Sequence, residues 1–478
     1  MSSSTHPRTS LSLRHRVALA AVVASSLLTF ALSPAQADNL VRPAAQAASV
    51  HEAGSGWIAS WGTAPAGPPI AKELMTFTDE TLRLIVHTSV GGNRIRVRLS
   101  NVYGSAPLRI GSAHVALRQS GAGIVAGSDR VLTFGGMTDV AIAPGAPVLS
   151  DPVELDVGAL SDLAVSVYLP GPAQASTVHG GAYQTNYVSE KGDHSASAAL
   201  PTARTFSSWP FLTEVEVMPV RATAARAAHS ARDKGVATAG AIVAFGDSIT
   251  DGVVTTQDAN RRWPDRLALR LQQGGRALAG LGVVNRGISG NRLLRDPGTV
   301  PMFGKAALAR FDRDVLATAG VRYVIVLLGI NDIGQPGTDS ATPAEAVTAQ
   351  EVIGAHRQLI ARAHAKGLRI IGGTLTPFEG TVFPGYYSAE KELMRSEVNE
   401  WIRKSGEYDG VIDFDSAVRD PANPTRMLAA YDGGDHLHPN DKGMQAMADA
   451  VSLDLFSQGA ERHPVQHRKA AAHKVGSH

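Results

Sequence analysis

The chain of 478 residues contains no cysteine. That absence removes disulfides, thiolate nucleophiles and cysteine-based zinc sites together. Aromatic residues make up only 5% of the chain, and the formal net charge is +2 with no dense basic stripe in the middle. The electrostatic footprint of a nucleic-acid binder is therefore missing. Long apolar runs are also scarce. The one at 17–32, "VALAAVVASSLLTFAL", is shorter than the roughly 20 residues a spanning helix needs. It follows Arg8, Arg14 and Arg16 and precedes "SPAQA", with small residues at Ala35 and Ala37. This is the order of an export signal. Residues 1–37 are thus read as a signal peptide, and the processed protein as secreted, with no stable membrane span. A second A-x-A match at Ala45 and Ala47 offers another cleavage point.

What is present is length enough for two domains. From 54 to 219 short alternating runs such as "TLRLIVHTSV" (81–90) and "RIRVRLSN" (94–101) are bounded by Gly, Pro, Asp or Ser. Gly91-Gly92-Asn93 between those two runs reads as a hairpin turn. No helical period intervenes, so this region is expected to be an all-β sandwich, jelly-roll-like. The Ala-rich stretch 220–239 reads as a linker.

After Gly240 the rhythm becomes strand, helix, strand. "AIVAF", "LGVVN", "VRYVIVLLG", "LRIIGGT" and "GVIDF" alternate with helical segments, among them "RWPDRLALRLQQG" and a last helix over about 441–455. Such alternation specifies an α/β fold over 240–458, a doubly wound parallel sheet with helices on both faces. The tail 461–478, rich in His, Lys and Arg, is expected to be disordered.

Ligands of open parallel sheets bind beyond the carboxyl ends of the strands. Four stretches there carry chemistry. Ser248 follows "AIVAF" and is either a helix N-cap or a nucleophile whose own N–H faces a developing anion. Gly290 in "NRGISGN" is either a turn glycine or a second N–H donor to that anion. Asn331 in "LLGINDIG" either makes an Asx-turn or donates its side-chain amide without bringing charge. In "YDGGDHLHPND", Asp435 and His438 are spaced so that a carboxylate can hold an imidazole by Nδ1. The competing reading is a metal site from Asp432, Asp435, His436 and His438.

These four blocks, "GDSITDG", "GISGN", "GIND" and "DHLHPND", resemble in order those of the SGNH (GDSL) hydrolases, a family of serine esterases and acyl hydrolases. Finer text such as "RWPDRLALRL" and "RFDRDVL" is similar to a secreted arylesterase/acylhydrolase-like subgroup, which also carries a β-rich region, here introduced by "WIASWGTAPAGP" with Trp57 and Trp61. The resemblance implies a flavodoxin-like sheet, Ser248 as nucleophile, His438 as base and Asp435 as its orienting partner. It also implies an oxyanion hole from Ser248 N–H, Gly290 N–H and the Asn331 amide, and chemistry that needs no metal or organic cofactor. Asp247 and Asp332 are read as structural supports for the nucleophile loop and for Asn331. Phe378, Phe383, Tyr386 and Tyr387 form either an aromatic wall for the substrate or packing under a long loop. The expected substrate is a small-molecule or polysaccharide ester. The alternatives are a carbohydrate O-acetyl esterase using the same residues, and a non-catalytic exported carbohydrate- or lipid-binding protein.

Overall fold

A computed structural model describes residues 56–68, 74–219 and 239–457. The expected signal peptide at 1–37, the disordered tail at 461–478 and all of the 220–239 linker but its last residue lie outside the described residues. No helix among the described residues is long and apolar enough to cross a membrane.

The region 56–219 is built from antiparallel strands. Its main strands are β1 (Ile58–Gly62), β2 (Glu80–His87), β3 (Gly92–Ser100), β4 (Ser112–Ser120), β5 (Asp162–Leu169), β6 (Asn186–Lys191) and β7 (Leu212–Met218). A five-stranded sheet runs β1-β7-β3 and a seven-stranded sheet contains β6-β2-β5-β4 in that order. The hairpin expected at Gly91-Gly92-Asn93 does not form, because β2 and β3 belong to different sheets. β2 is buried along nearly its whole length, which demands partners on both edges, and it takes them from β5 and β6. The chain then crosses between sheets through Thr88, Ser89 and Val90, whose backbone N–H groups donate to Ser161 O, Ser60 O and Ser60 Oγ. Gly91 is needed for that crossing, since a Cβ would run into the carbonyl of Val157.

Beyond Gly240 five parallel strands follow: β8 (Gly240–Gly246), β9 (Leu281–Gly287), β10 (Val321–Leu327), β11 (Arg369–Gly373) and β12 (Gly410–Ile412). Their spatial order is β9-β8-β10-β11-β12. β9 and β10 flank β8 on opposite sides, so the switch point where ligands of such sheets bind lies between β8 and β10. Six helices matter for the site: α1 (Ser248–Asp251), α2 (Trp263–Gln273), α3 (Ile330–Gly334), α4 (Ala349–Ala365), α5 (Ala389–Lys404) and α6 (Asp441–Asp449). α2 starts with Pro264 in its first turn and stops at Gly274, as its sequence signals require. α6 ends at Asp449, short of the expected 455. Arg270 on α2 donates to the carbonyls of Ala448 and Val451 there, so the chain exits into a 3-10 turn at Leu453–Phe456.

The β-rich and α/β regions fall in one compact unit and share a continuous apolar core. β1 lies against β9, where a Cβ on Gly282 would collide with the carbonyl of Ala59. Arg286 at the end of β9 reaches back into the β-rich region. There it donates to the carbonyls of Thr63 and Thr213 and pairs with Glu214 inside the shared core.

Candidate active site

The nucleophile candidate is placed by a sharp turn. β8 ends at Gly246, where any side chain would strike Thr250, and α1 begins two residues later. Asp247, not Ser248, is the N-cap: its Oδ1 accepts from the Ile249 N–H at 3.1 Å. Ser248 is the first helical residue, so its N–H has no acceptor within the helix. Its hydroxyl is committed elsewhere, donating to His438 Nε2 at 2.8 Å. Ser248 and His438 are 5% and 6% exposed, which keeps that bond out of bulk water while leaving a path to it.

His438 sits in a tight loop before α6. Gly433 N–H donates to the His438 carbonyl at 2.8 Å, and Asn440 caps α6 through Lys442 and Gly443 N–H. His438 Nδ1–H donates to Asp435 Oδ2 at 2.6 Å, while Asp435 Oδ1 accepts from the N–H groups of Leu437 and His438. Burial pushes the Asp435 pKa up, but the His438 hydrogen bond and charge, with those two N–H donors, bring it down to about 2. Asp435 is thus ionised throughout the neutral range and fixes the imidazole proton on Nδ1, leaving Nε2 to accept. The four residues of the metal reading pair off instead of converging: Asp432 takes His436 and Asp435 takes His438.

The two other expected anion donors are brought together by residues that the sequence did not single out for this role. Gly290 has φ +74, and a Cβ there would run into the Phe303 ring. Gln335 Nε2 donates both to the Gly290 carbonyl at 2.8 Å and to Asn331 Oδ1 at 3.1 Å. Tyr386 Oη–H donates to the same Asn331 oxygen at 2.9 Å. One N–H of the Asn331 amide goes to the Asn291 carbonyl at 3.0 Å, which leaves its second N–H for a ligand. Asp332 holds the adjoining loop by accepting from Leu293 and Leu294 N–H at 2.6 and 2.9 Å. Burial pushes Asp332 up to about 6 and Asp247 up to about 7, the latter helped by the charge of Asp332. Asp247 Oδ2 has no hydrogen-bond partner. Gln335 lies four residues after Asn331, a spacing that puts both on one helical face and is its only signal in the sequence.

Residues 244–446 match the model of the GDSL-like lipase/acylhydrolase family. That stretch of the chain belongs to this family. The protein is accordingly an ester hydrolase. Similar solved structures include the aryl esterase of M. smegmatis, at 17% identity over 44% of this chain and 96% of that one, with TM-score 0.35. A carbohydrate acetylesterase from Sinorhizobium meliloti is 16% identical over 44% of this chain and 95% of that one, TM-score 0.34. A catalytic mutant of an acetylxylan esterase from Geobacillus stearothermophilus is 22% identical over 45% and 93%, TM-score 0.34. No curated protein matches the chain.

The aromatic wall expected of this hydrolase is corrected in part. Phe378 is fully buried, with Tyr386 and Tyr387 packed edge-on against it, so it supports the loop from beneath. Tyr386 is buried too, and its hydroxyl faces Asn331, not open space. Tyr387 is half-buried, with its hydroxyl toward Glu379. Phe383 alone of the four is exposed, at 42%, and stands edge-on to His438 at 6.3 Å between ring centroids. Val382 beside it and Val254 across the loop are likewise exposed.

Proposed function

We propose that this chain is an exported serine esterase that hydrolyses carboxylic esters through an acyl-enzyme. The observation that carries the reading is the relay Ser248 Oγ–His438 Nε2 at 2.8 Å and His438 Nδ1–Asp435 Oδ2 at 2.6 Å. Export rests on the basic, apolar and small-residue order of 1–37.

His438 Nε2 takes the hydroxyl proton as Ser248 Oγ attacks the ester carbonyl carbon. The oxyanion is met by the N–H groups of Ser248 and Gly290 and by the free N–H of Asn331. The leaving alkoxide receives the proton from His438, and the same base then activates water to release the acid. Asp435 stays ionised and stabilises the imidazolium formed on the way. Asp247 and Asp332 act as supports: the first caps α1 and the second holds the loop behind Gly290. The exposed Phe383, Val382 and Val254 favour an ester with an apolar group near the reacting carbonyl.

Purified protein with p-nitrophenyl acetate tests the reading: wild type turns over, and Ser248→Ala does not. Equal turnover by that variant, or none by wild type, sinks it. A panel of aryl esters, acyl chain lengths and acetylated xylan then fixes the substrate class. Preference for the polysaccharide would assign a carbohydrate O-acetyl esterase.

A further inference from the structure

We infer that His179 is a positioning residue for the oxyanion loop, and that through it the N-terminal β-rich region completes the active site. The inference rests on the serine esterase reading and deepens it. His179 lies on a two-residue strand, Val178–His179, paired with Trp209–Pro210. Its Nδ1–H donates to the Ala64 carbonyl and its Nε2–H to Asp251 Oδ1, both at 2.9 Å. Trp209 stacks on its ring, with centroids 5.7 Å apart, and Trp61 packs edge-on against Trp209.

Asp251 is the last residue of the helix that Ser248 opens. Its second oxygen, Oδ2, accepts from Ser289 N–H at 3.0 Å and Ser289 Oγ–H at 2.7 Å. Ser289 immediately precedes Gly290. One buried carboxylate therefore joins the nucleophile helix, the loop that presents the Gly290 N–H, and a histidine from a different region of the chain. Fit is tight on each side: a Cβ on Gly181 would press on the Asp251 carboxylate, and one on Gly287 on the Asp251 backbone.

Both partners of the imidazole are acceptors, so His179 must supply a proton to each and carries a positive charge. Burial pushes its pKa down, but the charge and hydrogen bond of Asp251, with the Ala64 carbonyl, hold it above the ordinary value; Arg262 opposes them. Tyr183, Asp265 and His87 are the other titratable groups facing this seam. A buried carboxylate stripped of its cation is left uncompensated and seeks other donors. Its Oδ2 already holds the Ser289 N–H and Oγ–H, so a shift of the carboxylate carries the Gly290 segment with it. Misplacement by about 1 Å far from the chemistry can cost on the order of 10²-fold in rate.

The experiment compares His179→Ala, His179→Gln, Asp251→Asn and Gln184→Ala in the full chain. Gln184 serves as control because it bridges the same seam to Asp258 without touching Asp251. The expected result is a roughly 10- to 100-fold lower kcat for the first three variants with KM changed less than about threefold, and the smallest loss for His179→Gln. A double His179→Gln/Asp251→Asn variant should be no worse than Asp251→Asn alone. Full kcat in His179→Gln and Asp251→Asn, or an equal loss in Gln184→Ala, overturns the inference. Amide exchange at residues 289–291 reads position without turnover. It should quicken in His179→Gln and not in Gln184→Ala, and the reverse overturns the inference even if His179→Ala fails to fold. An inactive wild type would remove the esterase reading and leave this exchange result standing.

Discussion

Replacing Tyr386 with phenylalanine deletes one oxygen and leaves the ring that packs on Phe378 and Gly334 in place. No cavity opens, so any change in rate reports on the hydroxyl. Burial, with the charges of Asp247 and Asp332, holds that hydroxyl well above its ordinary pKa, so it is a proton donor at any working pH. It donates to Asn331 Oδ1 at 2.9 Å, and Gln335 donates to the same atom at 3.1 Å. With Gln335 still in place, Asn331 Oδ1 is not orphaned, and the stability loss should be only about 0.5–1.5 kcal/mol. Removing an oxyanion donor altogether costs about 2.7–4 kcal/mol in the barrier, which bounds the effect from above and sets the expectation for Asn331→Ala. Tyr386→Phe loosens the amide without deleting it. A loss of about 1 kcal/mol is expected, roughly fivefold in kcat with KM unchanged. In an Asn331→Ala background the same change should be silent, because the group it positions is gone. Steady-state kinetics on a short and a long acyl p-nitrophenyl ester separate the two roles open to Tyr386. A rise in KM that grows with acyl length, or a kcat loss that persists without Asn331, would refute the positioning role and restore Tyr386 to the substrate wall.

Three further outcomes follow from the same geometry. Asp247 has a folded pKa of about 7 against an ordinary 3.8, so the native state holds its proton more tightly than the unfolded chain does. Stability present near pH 4 is lost as pH rises toward 7, at about 1.4 kcal/mol per unit within that window. Asp247→Asn should therefore raise Tm at pH 8 and leave it nearly unchanged at pH 4; parallel stability curves for the two proteins would mean the carboxyl is not held neutral. Asp435→Asn keeps the shape of the relay but no longer fixes the proton on His438 Nδ1, and kcat should fall on the order of 10⁴-fold with KM little changed. A loss below tenfold would assign the orientation of His438 to its own backbone contacts. Phe383→Ala, at an exposed position, should change stability by less than about 0.5 kcal/mol while raising KM for aryl and long acyl esters. Unchanged KM across such a panel would remove the apolar mouth from the account.

Ser248, Asn331 and the Asp435–His438 pair were legible because their chemistry is local: the first two each belong to a block that follows a strand of one parallel sheet, and the pair sits in one short loop before α6. What supports them was not legible, for a consistent physical reason. Ser248 looks like a helix cap until His438, far along the chain, claims its hydroxyl and leaves the cap to Asp247. Tyr386 sits in an aromatic loop whose text does not say which ring turns its hydroxyl inward; that is decided by Asn331 and by the glycine at 334 that lets the ring approach. The Gly91-Gly92-Asn93 turn announces a reversal but not a partner, and burial of β2 on both edges sends β3 to the other sheet. His179 is the extreme case, an isolated histidine in strand-like text whose acceptors come from two distant segments. The proposed Ser248–His438–Asp435 relay can thus be read one block at a time, whereas the precision of the proposed oxyanion hole depends on contacts such as Tyr386–Asn331, Gln335–Gly290 and Asp251–Ser289, which no single stretch of sequence contains. Substitutions at Tyr386, Gln335 and His179 should accordingly lower kcat while leaving every recognisable motif of the chain intact.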